Sequence, residues 1–144
     1  MDSQSLCTFV ATSAYLFLKM FANSGVQGYA RMRGKTPKYR EDKMFFGTEH
    51  DSAAETPELL QRADACWRND LENIPVFLVA ALCGLLTGVP HSLYLPLMLL
   101  FCVGRTLQTV SLLLALQPWR FFGYVAGVVS TGAMFVLALR QLGW

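Results

Sequence analysis

The stretch Arg68-Asn69-Asp70-Leu71-Glu72-Asn73-Ile74-Pro75-Val76-Phe77-Leu78 sets a polar string directly in front of an apolar run. That run, Ile74 to Val89, is sixteen residues long, which makes only about 24 Å of helix at ~1.5 Å per residue. A helix crossing a ~30 Å hydrocarbon core wants about twenty residues. If the segment spans, the last turns of the polar string lie at or below the membrane surface. Polar groups at that depth cannot face lipid and must point into a protein interior or a wet cleft, so the string marks a candidate functional site.

Composition agrees on the solvent. Hydrophobic residues are 53% of the 144, charged residues 15%, and mean hydropathy is +0.36, too apolar for an ordinary water-soluble domain of this size. The chain is expected to be a single integral-membrane domain, residues 1–144. A net charge of +2 is too small to point to nucleic acid. Cys7, Cys66, Cys83 and Cys102 show no paired spacing and read as small hydrophobes. His50 and His91 have no second ligand at metal-site spacing, so no metal is expected. The first apolar run follows Asp2, with no basic residue before it and no small-residue cleavage pattern after it, so it is expected to stay as a helix.

Outward from the polar string, four spans are expected, at about residues 6–29, 72–89, 93–116 and 121–142. The first carries Lys19, Asn23 and Gln27, a stripe recurring every four residues and therefore on one helix face. Snorkelling to the nearer surface accounts for Lys19 alone; a stripe of three favours a side facing the bundle. Residues 31–71 read as a cytoplasmic loop and helix extension. Within them, Arg31 to Thr56 reads as loop, and Thr56-Pro57-Glu58 reads as a helix start: capping hydroxyl, proline at the first helical position, acid in the first turn. Pro75 is expected to kink the second helix or loosen one hydrogen bond. The third span carries Arg105 near its middle and Gln108 one turn later on the same face. A central arginine costs at least ~2.5 kcal/mol to insert and needs a partner in the bundle; by depth, Glu72 is the nearest carboxylate. Trp119 and Trp144 bracket the fourth span as interfacial anchors, and Gly84/Gly88 and Gly123/Gly127 have small-xxx-small spacing.

Eight Lys or Arg residues lie between positions 31 and 73, against none before Lys19 or in the 89–92 turn. The positive-inside rule puts that loop in the cytoplasm and both termini opposite. Arg31, Arg68, Glu72 and Arg120 are then expected at one cytoplasmic membrane face. A cationic pocket there suits an acidic water-soluble ligand meeting a lipophilic one. Arginines clamp carboxylates, and Glu72 accepts from an ammonium. Glutathione, with two carboxylates, an α-amino group and a thiol, fits, and an arginine beside the thiol favours its thiolate. The same charges equally fit a structural role, as Arg–Glu pairs that fix helix register or as basic residues serving topology and anionic lipid heads.

Residues 68–78, together with Arg105, Pro118-Trp119-Arg120 and Tyr124, resemble the MAPEG family of membrane-associated proteins in eicosanoid and glutathione metabolism, in particular its microsomal glutathione transferase and prostaglandin E synthase branch. The resemblance implies an all-α, up-down four-helix bundle assembled as a homotrimer, with glutathione between protomers near the cytoplasmic side. It implies glutathione binding by Arg31, Arg68, Asn69, Glu72 and Tyr124, thiolate stabilisation by Arg120, and a structural or binding role for Arg105 beside that of Lys19. Gln108 stands where the prostaglandin synthase has a histidine and can still hydrogen-bond to glutathione. Leu112 and Phe121, which replace a tyrosine and a serine, cannot. Ala65 and Trp67 also depart from the pattern. Asp42 falls near an aspartate of the isomerase reaction.

The implied activity is a glutathione transferase or peroxidase acting on lipophilic electrophiles or lipid hydroperoxides. The alternatives are a prostaglandin E synthase-type isomerase and a non-catalytic lipid-binding member. The implied location is the endoplasmic reticulum membrane in a eukaryote or the inner membrane in a bacterium.

Overall fold

The computed structural model describes residues 2–35 and 57–144, and every regular element among them is a helix. Helix α1 is Ser3–Gly34, α2 Glu58–Thr87, α3 His91–Leu113 and α4 Trp119–Gln141. Each is long and apolar enough to cross a membrane, and the chain is an integral membrane protein. Asp42, His50 and Thr56 lie outside the described residues.

Helix ends follow local chemistry. The Asp2 carboxylate accepts from the backbone N–H groups of Gln4 and Ser5, both at 3.2 Å, and so satisfies two donors the first turn of α1 would leave open. The Gln4 bond foremost, then a bond from the Ser5 hydroxyl at 3.0 Å, hold the carboxyl below its ordinary value of 3.8. At its far end α1 continues through Arg31 and Arg33 to Gly34, into what composition reads as loop; Lys35 caps it in the left-handed conformation. Pro57 stands at the cap of α2 rather than inside its first turn. Helix α2 runs on through Pro75 and stops at Gly88, whose φ of 78° suits glycine and lets its N–H reach back to the last carbonyls. Gly88 is therefore a helix stop and not half of a packing motif with Gly84. Helix α3 ends at Leu113, three residues short of the expected span.

Contacts between helices fix the topology. Between α2 and α3, Ala81 meets Tyr94, Phe77 meets Phe101, Asn69 meets Arg105 and Arg62 meets Leu112. One number falls as the other rises, so the pair is antiparallel. Between α1 and α3 the numbers rise together, from Thr8–His91 through Tyr15–Thr106 to Lys19–Thr109, so these helices are parallel. Helix α4 lies along α3 and α2, on the far side from α1. The result is an up-down four-helix bundle.

The bundle is layered along its axis. Toward the turn at residues 88–90 the core is apolar: Leu16, Phe77, Ala81, Tyr94, Phe101 and Met134 are buried, and the Phe77 and Phe101 rings stack with centroids 3.6 Å apart. Outward-facing Phe17, Phe21, Leu86 and Val103 form an apolar exterior that suits lipid. Helices α3 and α4 approach at glycine. A Cβ on Gly123 would sit 2.7 Å from the backbone nitrogen of Gln108 and from the Gly104 carbonyl oxygen, and one on Gly104 would sit 2.8 Å from the Ala126 Cβ. Gly123 and Gly127 both face α3, and Gly104 supplies the opposing surface.

Candidate functional site

The stripe on α1 faces α2 along its whole length, and one further helical turn adds Arg31 to it. Lys19 Nζ donates to Asp70 Oδ2 at 2.6 Å and to Thr109 Oγ1 at 2.7 Å. The side-chain amides of Asn23 and Gln27 both donate to the Ala63 carbonyl, at 3.0 and 3.2 Å. Arg31 pairs with Asp64 at 3.4 Å. Four residues at a spacing of four thus line the α1–α2 seam.

Next to the apolar layer, on its side toward the α3–α4 turn, lies a buried charged one. Arg105 and Asp70 are completely buried and the Lys19 side chain is 8% exposed. The Arg105 Nη2 group donates to Asn69 Oδ1, to Gln108 Oε1 at 2.8 Å and to Asp70 Oδ1 at 3.3 Å. The expected Arg105–Glu72 pair does not form: the partner is Asp70. Depth along α2 allowed either residue, but two positions are about 200° apart around a helix of 3.6 residues per turn. The buried face of α2 runs through Ala63, Cys66, Asp70, Ile74 and Phe77, and Glu72 lies outside it, exposed. Two cations share one carboxylate here, so the layer carries a net charge of +1 in a low-dielectric setting where charge acts strongly.

Above this layer opens a cavity of about 400 Å³ lined by Asn69, Gln108, Gln117, Arg120, Phe121 and Tyr124. It joins three helices and the α3–α4 turn, and it brings together four of the residues singled out from sequence: Asn69, Gln108, Arg120 and Tyr124. A second cavity of about 240 Å³ shares Gln117 and Arg120 and reaches Arg62, Ser111 and Leu112. Arg62 Nε donates to Glu58 at 3.0 Å, and its Nη1 donates to the Leu112 carbonyl at 3.0 Å.

The other candidates sit elsewhere. Arg31 is held at the α1–α2 seam by Asp64. Arg68 is exposed and makes no ion pair among the described residues. Glu72 lines a separate groove of about 300 Å³ with Asn73 and Val76 of α2 and Val128, Thr131 and Phe135 of α4. Lys19 and Arg105 underlie the polar cavity without lining it. A further cavity of about 640 Å³ between α1 and α3 is nearly all apolar, and the Tyr15–Thr106 hydrogen bond at its wall brings no charge.

Asp70, Gln117 and Arg62 are the participants that sequence reasoning passed over. Asp70 stood inside the quoted stretch, and the apolar periodicity of α2 through positions 63, 66, 70, 74 and 77 was the signal that would have singled it out. Gln117 and Arg62 carried no such signal, since both enter through the way the α3–α4 turn folds onto α2.

The sequence has relatives. Microsomal glutathione S-transferase 1 of Mus musculus and microsomal glutathione S-transferase 1 of Rattus norvegicus are each 29% identical to it over 144 residues, covering 98% of this chain and 93% of the relative. The match to the MAPEG family runs over residues 9–140, taking in most of α1 and α4, all of α2 and α3, and every lining residue of the polar cavity. The chain belongs to the MAPEG family.

Proposed function

We propose that the protein is a glutathione-dependent membrane transferase that binds glutathione in the cavity between α2, α3 and α4 and adds its thiolate to lipophilic electrophiles. The observation that carries this reading is the meeting of Arg120 and Tyr124 with Asn69 and Gln108 around one polar cavity at the end of an otherwise apolar bundle. Arg120 offers a guanidinium that is half of no ion pair among the described residues and so is available to an anion. The names of the mouse and rat relatives support the same assignment.

The chemistry needs no covalent residue from the protein. A thiol beside a guanidinium loses its proton more readily, because the cation favours the charged form. The net +1 layer formed by Lys19, Asp70 and Arg105 acts in the same direction from below. The thiolate sulfur forms a bond to the electrophilic carbon and the leaving group departs with its electron pair, as chloride does from a chlorinated nitrobenzene. With a lipid hydroperoxide, the same thiolate attacks the terminal peroxide oxygen instead; the O–O bond breaks, the lipid leaves as its alcohol after taking up a proton, and the resulting glutathione sulfenic acid condenses with a second glutathione to the disulfide and water. Tyr124 and the amides of Asn69 and Gln108 hold the tripeptide. Arg68 and Glu72 lie exposed on α2, on either side of Asn69 in sequence. In a homotrimer, a neighbouring protomer would close over them and complete the carboxylate and ammonium sites. The apolar exterior at this depth admits the lipophilic partner directly from the membrane.

The test is direct. Protein purified in detergent is titrated with glutathione while thiolate absorbance and conjugation of a chlorinated nitrobenzene are followed. Saturable thiolate formation with turnover is expected. Folded protein that neither binds glutathione nor conjugates overturns the assignment, and binding competition with other low-molecular-weight thiols identifies the natural one.

A further inference from the structure

Arg105 is completely buried and does not line the polar cavity, yet it contacts two residues that do. A guanidinium has donors only, so whatever it bonds must be an acceptor. The Asn69 and Gln108 atoms that meet its Nη2 are therefore the carboxamide oxygens, Oδ1 and Oε1. This fixes an orientation that is ordinarily ambiguous, because the oxygen and nitrogen of an amide are otherwise interchangeable by a half-turn. With both oxygens drawn inward, both NH2 groups point away from Arg105. Neither amide nitrogen has a hydrogen-bond partner among the described residues, and both side chains line the cavity that Arg120 and Tyr124 complete. Arg105 is itself anchored from behind by Asp70, which Lys19 holds in turn. The order of contacts runs Lys19, Asp70, Arg105, then the two amides, then the cavity.

We propose that Arg105 is a positioning residue: without touching the ligand, it turns Asn69 and Gln108 so that both present N–H donors, making the cavity floor a donor-only surface selective for acceptor groups of the bound molecule. Carboxylate and peptide carbonyl oxygens are the acceptors in the tripeptide of the preceding section, and the ligand half of this inference rests on that reading. The floor rejects ligand groups that donate, because a donor placed there would face two more donors and leave them unpaired. Gln108 suits the task because one side chain can accept from Arg105 and donate to the cavity at the same time.

The decisive variants are Gln108→Glu and Asn69→Asp. Each keeps an oxygen acceptor for Arg105, so a purely structural role is preserved or strengthened, but each replaces the cavity-facing donor with an acceptor oxygen. Expected are wild-type folding, a rise of about ten- to hundredfold in the glutathione dissociation constant and KM, and a kcat at saturation within about threefold of wild type. Arg105→Lys, which keeps the charge on a shorter, freely rotating ammonium that does not reach and fix the two oxygens in the same way, should produce a smaller rise of the same kind. Unchanged glutathione affinity in Gln108→Glu and Asn69→Asp would overturn the proposal. A second readout needs no ligand. In protein labelled with ¹⁵N at Asn and Gln, the side-chain NH2 signals of Asn69 and Gln108, assigned by their loss in the two variants, should show exchange with water. In Arg105→Lys they should shift. Absence of water exchange at both would refute the orientation whatever the ligand. Wild-type protein that shows the exchange but binds no glutathione would instead overturn the assignment of the preceding section and leave the positioning role standing.

Discussion

The buried layer of Lys19, Asp70 and Arg105 and the outer set of Arg68, Glu72 and Arg120 each combine two cations with one carboxylate, yet they behave as opposites. In the buried layer every charge has a charged partner, and the hydrogen bonds reach α1, α2 and α3. In the outer set all three residues are exposed, and none makes an ion pair among the described residues. Removing charges from water costs several kcal/mol per ion, so the inner set depends on the ion pairs between its members, although the Arg105 Nε and Nη1 groups find no partner among the described residues. The outer set has no such obligation. Paired charge holds the bundle and sets a field, whereas unpaired charge at a cavity mouth is free to meet a ligand.

Substitutions on the two sides should separate these roles. The largest effect is expected for Asp70→Ala, which leaves two cations in the interior with no carboxylate. About 3–5 kcal/mol of stability should be lost, read as a fall in the thermal midpoint in detergent or as failure to accumulate. Asp70→Asn, which keeps one acceptor oxygen for one of the two cations, should lose less. A midpoint within a degree or two of wild type for Asp70→Ala would break the distinction. Next comes Arg120→Ala. Conjugation should fall by about a hundredfold, equivalent to about 2.7 kcal/mol of transition-state stabilisation, with glutathione affinity largely kept and thermal stability unchanged because the residue is exposed. Full turnover in this variant would remove Arg120 from the chemistry.

Gly123→Ala tests the wall both regions share. Its Cβ would collide with the backbone of α3, so a loss of about 1–3 kcal/mol is expected. Gly132→Ala, with nothing within 4 Å of its Cβ, should be neutral or slightly stabilising. The smallest effect is expected for Glu72→Ala. Because Asp70 and not Glu72 partners Arg105, stability should stay within about 0.5 kcal/mol of wild type, while glutathione affinity drops about tenfold through the lost ammonium contact. A large stability loss here would put Glu72 back among the structural charges.

How far the site could be read from sequence varies from residue to residue. Arg120 was placed at this face by the run of spans and turns, and Asn69, Gln108 and Tyr124 were named through the family resemblance; the four share a cavity. Arg31 was placed with them but sits against Asp64, since being on the same membrane face does not put residues at the same point around the bundle. Asp70 was passed over in favour of Glu72 for the same reason. Gly84 and Gly88 looked like a packing pair, but the second is a helix stop, a role set by its backbone angle and not by its spacing.

Composition and run length alone were enough to give the solvent, the four helices, their up-down order and polar residues at membrane depth. Those properties follow from composition and from run lengths measured against a bilayer of known thickness, and each can be counted along one dimension. Helix packing was needed to settle which carboxylate meets Arg105, that Arg62 and Gln117 extend the cavity, and that the Asn69 and Gln108 amide oxygens both turn toward Arg105. Those outcomes depend on how each helix is rotated about its axis and how closely its neighbour approaches. At about 100° per residue, a shift of one or two positions changes the partner completely.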